Sequence, residues 1–173
     1  EMDRQQLRRL TDGIICISKD RSGTLWVGSR TGLHKINLKR IPGQLSQVSF
    51  DHYQHNPTNS NSISSNIVRS VFEDRSGIIW IATGNGLNRF NRNTDDFKRY
   101  GHDPKKNSIS SNSLAFWIGN IIKEDKEGNL WIATDKGLNK LNKDRTIFSV
   151  YSHNRNDANS ISSDMIYSLE IDQ

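Results

Sequence analysis

The chain writes one short segment three times. Asp20-Arg21-Ser22-Gly23-Thr24-Leu25-Trp26-Val27-Gly28, Asp74-Arg75-Ser76-Gly77-Ile78-Ile79-Trp80-Ile81-Ala82 and Asp125-Lys126-Glu127-Gly128-Asn129-Leu130-Trp131-Ile132-Ala133 are variants of a single pattern. The three tryptophans recur roughly fifty residues apart, a period that belongs to stacked supersecondary units, none of which buries its apolar face alone. The fold must therefore be read one repeat at a time.

Composition agrees with small cores and long polar loops. Hydrophobic residues make up 33% of the 173, and even with the 12 glycines the total stays below the roughly 45–50% usual on that count. Cys16 is the single cysteine, so no intrachain disulfide forms and the redox compartment is left open. No apolar run approaches the roughly 18–20 residues of a membrane span, so this segment is expected to make no membrane contact. An opening Glu1 in place of an initiator methionine reads as a piece of a longer chain, and the missing leader then says nothing about the parent. The net charge of +5 would permit a polyanion partner, but Lys and Arg are scattered in pairs such as Arg8-Arg9 and Lys105-Lys106. Solvated faces are the expectation, with no nucleic-acid partner.

In the middle repeat, Ile67 to Glu73 is apolar and β-branched enough for a strand, and Asp74-Arg75-Ser76-Gly77 ends it with turn chemistry. A second strand runs from Ile78 to Thr83 and a third from Leu87 to Phe90. A fourth covers Phe97 to Tyr100. Four short antiparallel strands, more polar from first to last, describe a propeller blade. The expected fold is all-β: about three blades, each a four-stranded antiparallel meander, plus one extra inner strand at Met165–Ile171, an incomplete propeller. The divisions are a lead over 1–11, blades over 12–61, 62–107 and 108–159, and the start of a fourth over 160–173. Rings usually close with about 4–8 blades. A homo-oligomer or the remaining blades of a parent chain must then cover the open sides. Each Trp sits mid-strand among aliphatic residues and is expected between blades. Cys16 aligns with Ser70 and Ser168 near the axis, where a small side chain has a packing role.

The lead Ser-Ile-Ser-Ser-Asn at Ser62–Asn66 and Ser108–Asn112, with its variant Ser160–Asp164, carries a further signal. Together with the Asp-x-x-Gly-x-x-Trp-Ile-(Gly/Ala)-Thr-x-x-Gly-Leu-Asn-(Lys/Arg) block, it resembles the two-component regulator propeller repeat over residues 12–172. The first repeat lacks the lead and carries an insertion around Ile41–Gln47, and the last carries one near Ser113–Trp117. The resemblance implies part of the extracytoplasmic sensor region of a hybrid two-component system histidine kinase, periplasmic or extracellular, in a membrane-anchored bacterial protein. It implies a sensor in signal transduction, recognising carbohydrate breakdown products, with any kinase outside this chain.

Chain direction sorts the loops. Connections after second and fourth strands share one side, and that side holds the long loops 54–66, 101–117 and 152–164, where propellers usually build sites. The candidate ligand-binding residues are Phe116 and Trp117 in the apolar insertion, Asn112 before it, and Arg69 and Tyr167 on axial strands. The ligand expected of them is an oligosaccharide. His55, His102 and His153 recur at one place per blade, which suits a repeated hydrogen bond better than a zinc site. Asp20, Asp74 and Asp125 suit turns, and their loop lacks the ligand pattern of an EF-hand. No catalytic, metal or cofactor residue is expected. Two alternatives stay open: a carbohydrate-active propeller enzyme, which needs paired carboxylates at the axial mouth, and an interaction scaffold with a flat apolar surface.

Overall fold

Turn chemistry divides the chain into hairpins, and the computed structural model describes residues 13–39, 47–114 and 120–172. Blade 1 is the meander β1 (Ile14–Lys19), β2 (Leu25–Ser29), β3 (Leu33–Lys39) and β4 (Gln47–Tyr53). Blade 2 comprises β5 (Val68–Glu73), β6 (Ile79–Thr83), β7 (Gly86–Asn91) and β8 (Asp96–Tyr100). Blade 3 comprises β9 (Ile122–Glu124), β10 (Leu130–Thr134), β11 (Gly137–Leu141) and β12 (Phe148–Tyr151). Every neighbouring pair is antiparallel. The all-β meander architecture expected from the repeat is the one observed.

Second strands are the apolar ones because both their faces are covered, and β6 is buried at every position. Trp26 and Leu33 of blade 1 share a cluster with Val68, Val71, Ile79 and Phe90 of blade 2. Trp80 and Leu87 of blade 2 in turn join Leu114, Ile121, Ile122 and Leu130 of blade 3. The core therefore lies between blades, where the tryptophans were expected. Trp26 and Trp80 are wholly buried, and Trp26 meets Phe90 edge-on at 5.0 Å between centroids. Trp131 is half-buried and stacks on Tyr151 at 5.5 Å.

Close approach fixes the small residues. A Cβ on Gly28 would stand 2.5 Å from Cys16 Sγ and 2.6 Å from Val68 Cγ1, so the blade 1 to blade 2 joint admits no side chain there. Burial pushes the Cys16 thiol up to about 11, which keeps it protonated and makes it a packing group.

Segment 165–171 differs from the strand expected there. It lies along blade 3 with backbone bonds from Ile166 N to Thr134 O (3.2 Å) and from Leu169 N to Asn120 O (2.8 Å), but forms no ladder. Ile166 and Leu169 still pack on the blade 3 cluster. An inner strand pairs with the second strand of its own blade, and that strand is not in this chain. Packing, these two backbone bonds and an ion pair between Lys123 and Glu170 at 3.1 Å hold the segment.

Candidate functional site

The recurrent aspartate closes both the turn and the tryptophan. Asp74 Oδ1 accepts the amides of Ser76 (2.9 Å) and Ile78 (3.0 Å), while its Oδ2 accepts Trp80 Nε1 at 2.9 Å. Asp20 and Asp125 repeat the indole bond at 2.9 Å and 2.8 Å. Burial works against charge on Asp20, yet bonds from Ser22, Trp26, Arg92 and Thr24 outweigh it and hold the carboxyl below its ordinary range. Asp125 is lowered in the same way: burial opposes the charge, and Asn129, Trp131 and Lys140 favour it. The turn role read from the sequence is the observed one, and the Trp clamp adds to it.

The histidines also make a repeated structural bond. Nδ1 of His55, His102 and His153 lies 2.8 Å from the carbonyl oxygen of Ile63, Ile109 and Ile161 respectively. Each bond pins one long loop to its own lead segment.

The repeats diverge on the inner strands. A bulge interrupts the β1–β2 register between Ile14 and Cys16, and another interrupts β5–β6 between Val68 and Ser70. The extruded residues are Ile15 and Arg69. In blade 3 the ladder contacts are the Leu114–Thr134 bridge and the bond between Ala133 N and Ile121 O, so six residues of sequence, 115–120, separate the two ladder positions that Arg69 alone separates in blade 2. Bulges commonly re-aim side chains next to binding sites.

Arg69 is half-buried, and burial pushes its guanidinium down from its ordinary value. Its head lies over the β6–β7 turn, where a Cβ on Gly84 would stand 3.8 Å from Nη2 and 3.5 Å from Ser65 Oγ. Tyr167, at the corresponding place after blade 3, is 52% exposed and donates its hydroxyl to Met165 Sδ at 2.9 Å. Asn112 has a bond of its own: its Oδ1 accepts the His102 amide at 2.6 Å, as Asn66 Oδ1 accepts His55 N and Asp164 Oδ1 accepts His153 N. Phe116 and Trp117 lie outside the described residues. Tyr167 aligns with Arg69 in the sequence repeat.

Sequence reasoning missed the bonds between blades. Arg92 Nη2 reaches Asp20 Oδ2 at 3.0 Å and Glu73 Oε1 at 3.5 Å. Arg145 Nη2 reaches Asp74 Oδ2 at 3.0 Å and Glu124 Oε1 at 3.4 Å. The available signal was the Glu73-Asp74 and Glu124-Asp125 pairing, two adjacent acids that need a cation when stacked.

The family model described as two component regulator propeller matches residues 10–31, 62–85 and 117–136, the three stretches that contain the bulged inner strands or the clamp. The chain carries two-component regulator propeller repeats. Solved structures share the fold over most of this chain. The extracellular domain of the hybrid two component system BT3049 from B. thetaiotaomicron matches with TM-score 0.69 and 23% identity, over 90% of this chain and 20% of that one. The corresponding domain of BT4673 from B. thetaiotaomicron gives 0.66 and 23%, over 92% and 19%. PorZ, a surface component of the type-IX secretion system of Porphyromonas gingivalis, gives 0.66 and 18%, over 91% and 23%. The chain thus spans about a fifth of the length of these structures, and at such identities the likeness is one of fold. No curated protein matches it. Among the described residues no helix is long and apolar enough to cross a membrane.

Proposed function

We propose that this chain is a non-catalytic sensing segment of an extracytoplasmic propeller in a two-component regulatory protein, with its ligand at the long-loop mouth of the axis. The observation that carries the reading is the bulge position. Three repeats with one turn geometry differ there: Ile15 and Arg69 are extruded in blades 1 and 2, and six residues of sequence separate Leu114 from Ile121 in blade 3. The ligand class is an oligosaccharide released by breakdown of a larger glycan. The Arg69 guanidinium suits an anionic or hydroxyl-rich edge, and the exposed Tyr167 ring, with Phe116 and Trp117, suits a sugar face. Asn112 shapes the loop through its bond to His102. The segment stands outside the membrane in this reading, and the kinase lies elsewhere in the parent. The remaining blades of that parent or a second copy complete the ring.

Hydrolysis is disfavoured because the recurrent carboxylates are taken up by turn amides and indoles. A scaffold role is the second reading. It is favoured by exposed Ile14 and Ile17 and by likeness to PorZ, a component of a secretion machine. Calorimetric titration with neutral and uronate-containing oligosaccharides separates the two. Binding that weakens at least tenfold in both Arg69→Ala and Trp117→Ala, with unchanged melting, supports sensing. Silence across the panel, or affinities untouched by both variants, defeats it.

A further inference from the structure

Two joints between blades lie wholly inside this chain, and their outer rims differ. At the joint between blades 1 and 2, Lys35 of β3 stands across from Trp26 of β2 and from Asp51 of β4, and Tyr53 stands across from Leu33. These groups meet one carboxylate of the next blade. Asp95 Oδ1, from the β7–β8 turn, accepts the Tyr53 hydroxyl at 2.8 Å and Lys35 Nζ at 3.0 Å, and Asp51 Oδ2 lies 3.7 Å from the same ammonium. Cation and hydroxyl are both satisfied.

The joint between blades 2 and 3 repeats the donors without the acids. Arg89 stands across from Trp80 as Lys35 does from Trp26, and Tyr100 across from Leu87 as Tyr53 does from Leu33. At the place of Asp51 the ladder holds Lys98, so two cations are direct cross-strand neighbours, an arrangement that destabilises a sheet. At the place of Asp95, two residues before the phenylalanine, stands Thr146, which bonds back to Asn142. Lys98 Nζ lies 5.1 Å from the centre of the Tyr100 ring, and that ring meets Trp80 at 5.5 Å and Phe148 of blade 3 at 6.3 Å. The Tyr100 hydroxyl is buried and has no hydrogen-bond partner among the described residues. Neither Arg89 nor Lys98 forms an ion pair there: Asp96, on the same face, accepts the Thr94 hydroxyl, and Asp103 pairs with Lys106. Arg145, the further cation of this joint, is held by Asp74 and Glu124.

We propose that the rim of the joint between blades 2 and 3 binds the carboxylate of a small ligand, in the role that Asp95 plays at the joint before. Arg89 and Lys98 supply the charge, and the Tyr100 hydroxyl supplies a directed bond. Lys98 also lines, with Asn91, Asp96 and Arg99, a groove of about 490 Å³ that opens the rim to solvent. A carboxylate is the class because one such group accepts from the equivalent hydroxyl and cation together in the neighbouring joint. Its carrier is an acidic sugar or a simple organic acid. The site stands on third and fourth strands, apart from the bulge position, and does not rest on the sensing role proposed above, so either can fail alone.

Thermal melts of the full chain test it, with chloride replaced by acetate or glucuronate at constant ionic strength. A carboxylate at about five times its Kd should raise Tm by about 2–4 °C in a chain of this size. Arg89→Gln and Lys98→Asp should each remove most of that rise. Lys98→Asp also gives Arg89 the cross-strand acid that Lys35 has, and should raise Tm in chloride. Tyr100→Phe should weaken the response yet leave Tm in chloride undiminished, because it deletes a buried hydroxyl without a partner, whereas Tyr53→Phe should lower Tm. A larger rise with glucuronate than with acetate makes a sugar the carrier and equal rises a simple acid; both support the site. No rise with either carboxylate, a rise that persists in both Arg89→Gln and Lys98→Asp, or a fall in chloride as large for Tyr100→Phe as for Tyr53→Phe overturns the proposal.

Discussion

The turn end of each blade and its axial end obey different rules. At the turn end the carboxylate to indole bond measures 2.9, 2.9 and 2.8 Å in blades 1 to 3. At the axial end the first two repeats extrude an isoleucine and an arginine from the ladder, and the third has six residues of sequence between the equivalent ladder positions Leu114 and Ile121. Uniform geometry marks the part that every joint needs, because a displaced Trp would open the core between blades. Variation marks the part that the shared joint geometry does not fix, and the proposed recognition is assigned there.

The hardest way to break this contrast is Asp74→Ala. It strands Trp80 Nε1 and two turn amides, and it removes the nearer of the two acids that Arg145, a side chain only 10% exposed, reaches. Loss of one partner of such a buried pair costs about 3–5 kcal/mol. Urea denaturation showing under 1 kcal/mol, or a folded variant that loses only ligand binding, would make the turn end a functional site.

Blade 1 supplies the next largest effect, because its third strand departs from the repeat. His34 stands where Asn88 and Asn139 bind Ser64 and Ser110, is wholly buried, stacks on His52 at 4.2 Å and leaves its Nδ1 unbonded. Burial, and then the His52 charge, lower it from 6.5 to about 4. The unfolded chain therefore takes up the proton first as pH falls. Stability should drop by up to about 3 kcal/mol between pH 7 and 4 and then level off for this group. The His34→Asn variant should show a flatter pH profile in thermal melts; an unchanged slope would refute the assignment.

Gly77→Ala tests the turn backbone alone. Its φ is +81°, and the nearest atom to an added Cβ is Glu73 Oε1 at 3.8 Å, so only the left-handed conformation is penalised, by about 1–2 kcal/mol. A neutral result would show that the turn tolerates another conformation. Arg69→Ala should be smallest, within about 0.5 kcal/mol, as expected of a residue extruded from the ladder and outside the two apolar clusters. A loss comparable to Asp74→Ala would transfer Arg69 to the structural side of the comparison.

Much of the turn end was legible. Asp, Gly and Trp fall within seven consecutive residues, where turn preference and strand alternation act directly, and the strands of blade 2 lie within a residue of their expected limits. The axial end was legible only in outline. Arg69 and Tyr167 were found as departures from the repeat. The bulge was hidden because a single extruded residue leaves the apolar pattern on either side intact. Asn112 looked free in the sequence because its partner, the His102 amide, comes from the other end of a loop.

The repeat by itself determined that this chain forms antiparallel blades, where each turn falls and which side holds the long loops, since those follow from interactions among near neighbours. Tertiary structure decided which charges meet. Arg92 and Asp20 are 72 residues apart, and Arg145 and Asp74 are 71. They pair because stacking brings successive turn ends side by side, and the angle between two sheets is set by side-chain packing along the whole joint rather than by any local pattern.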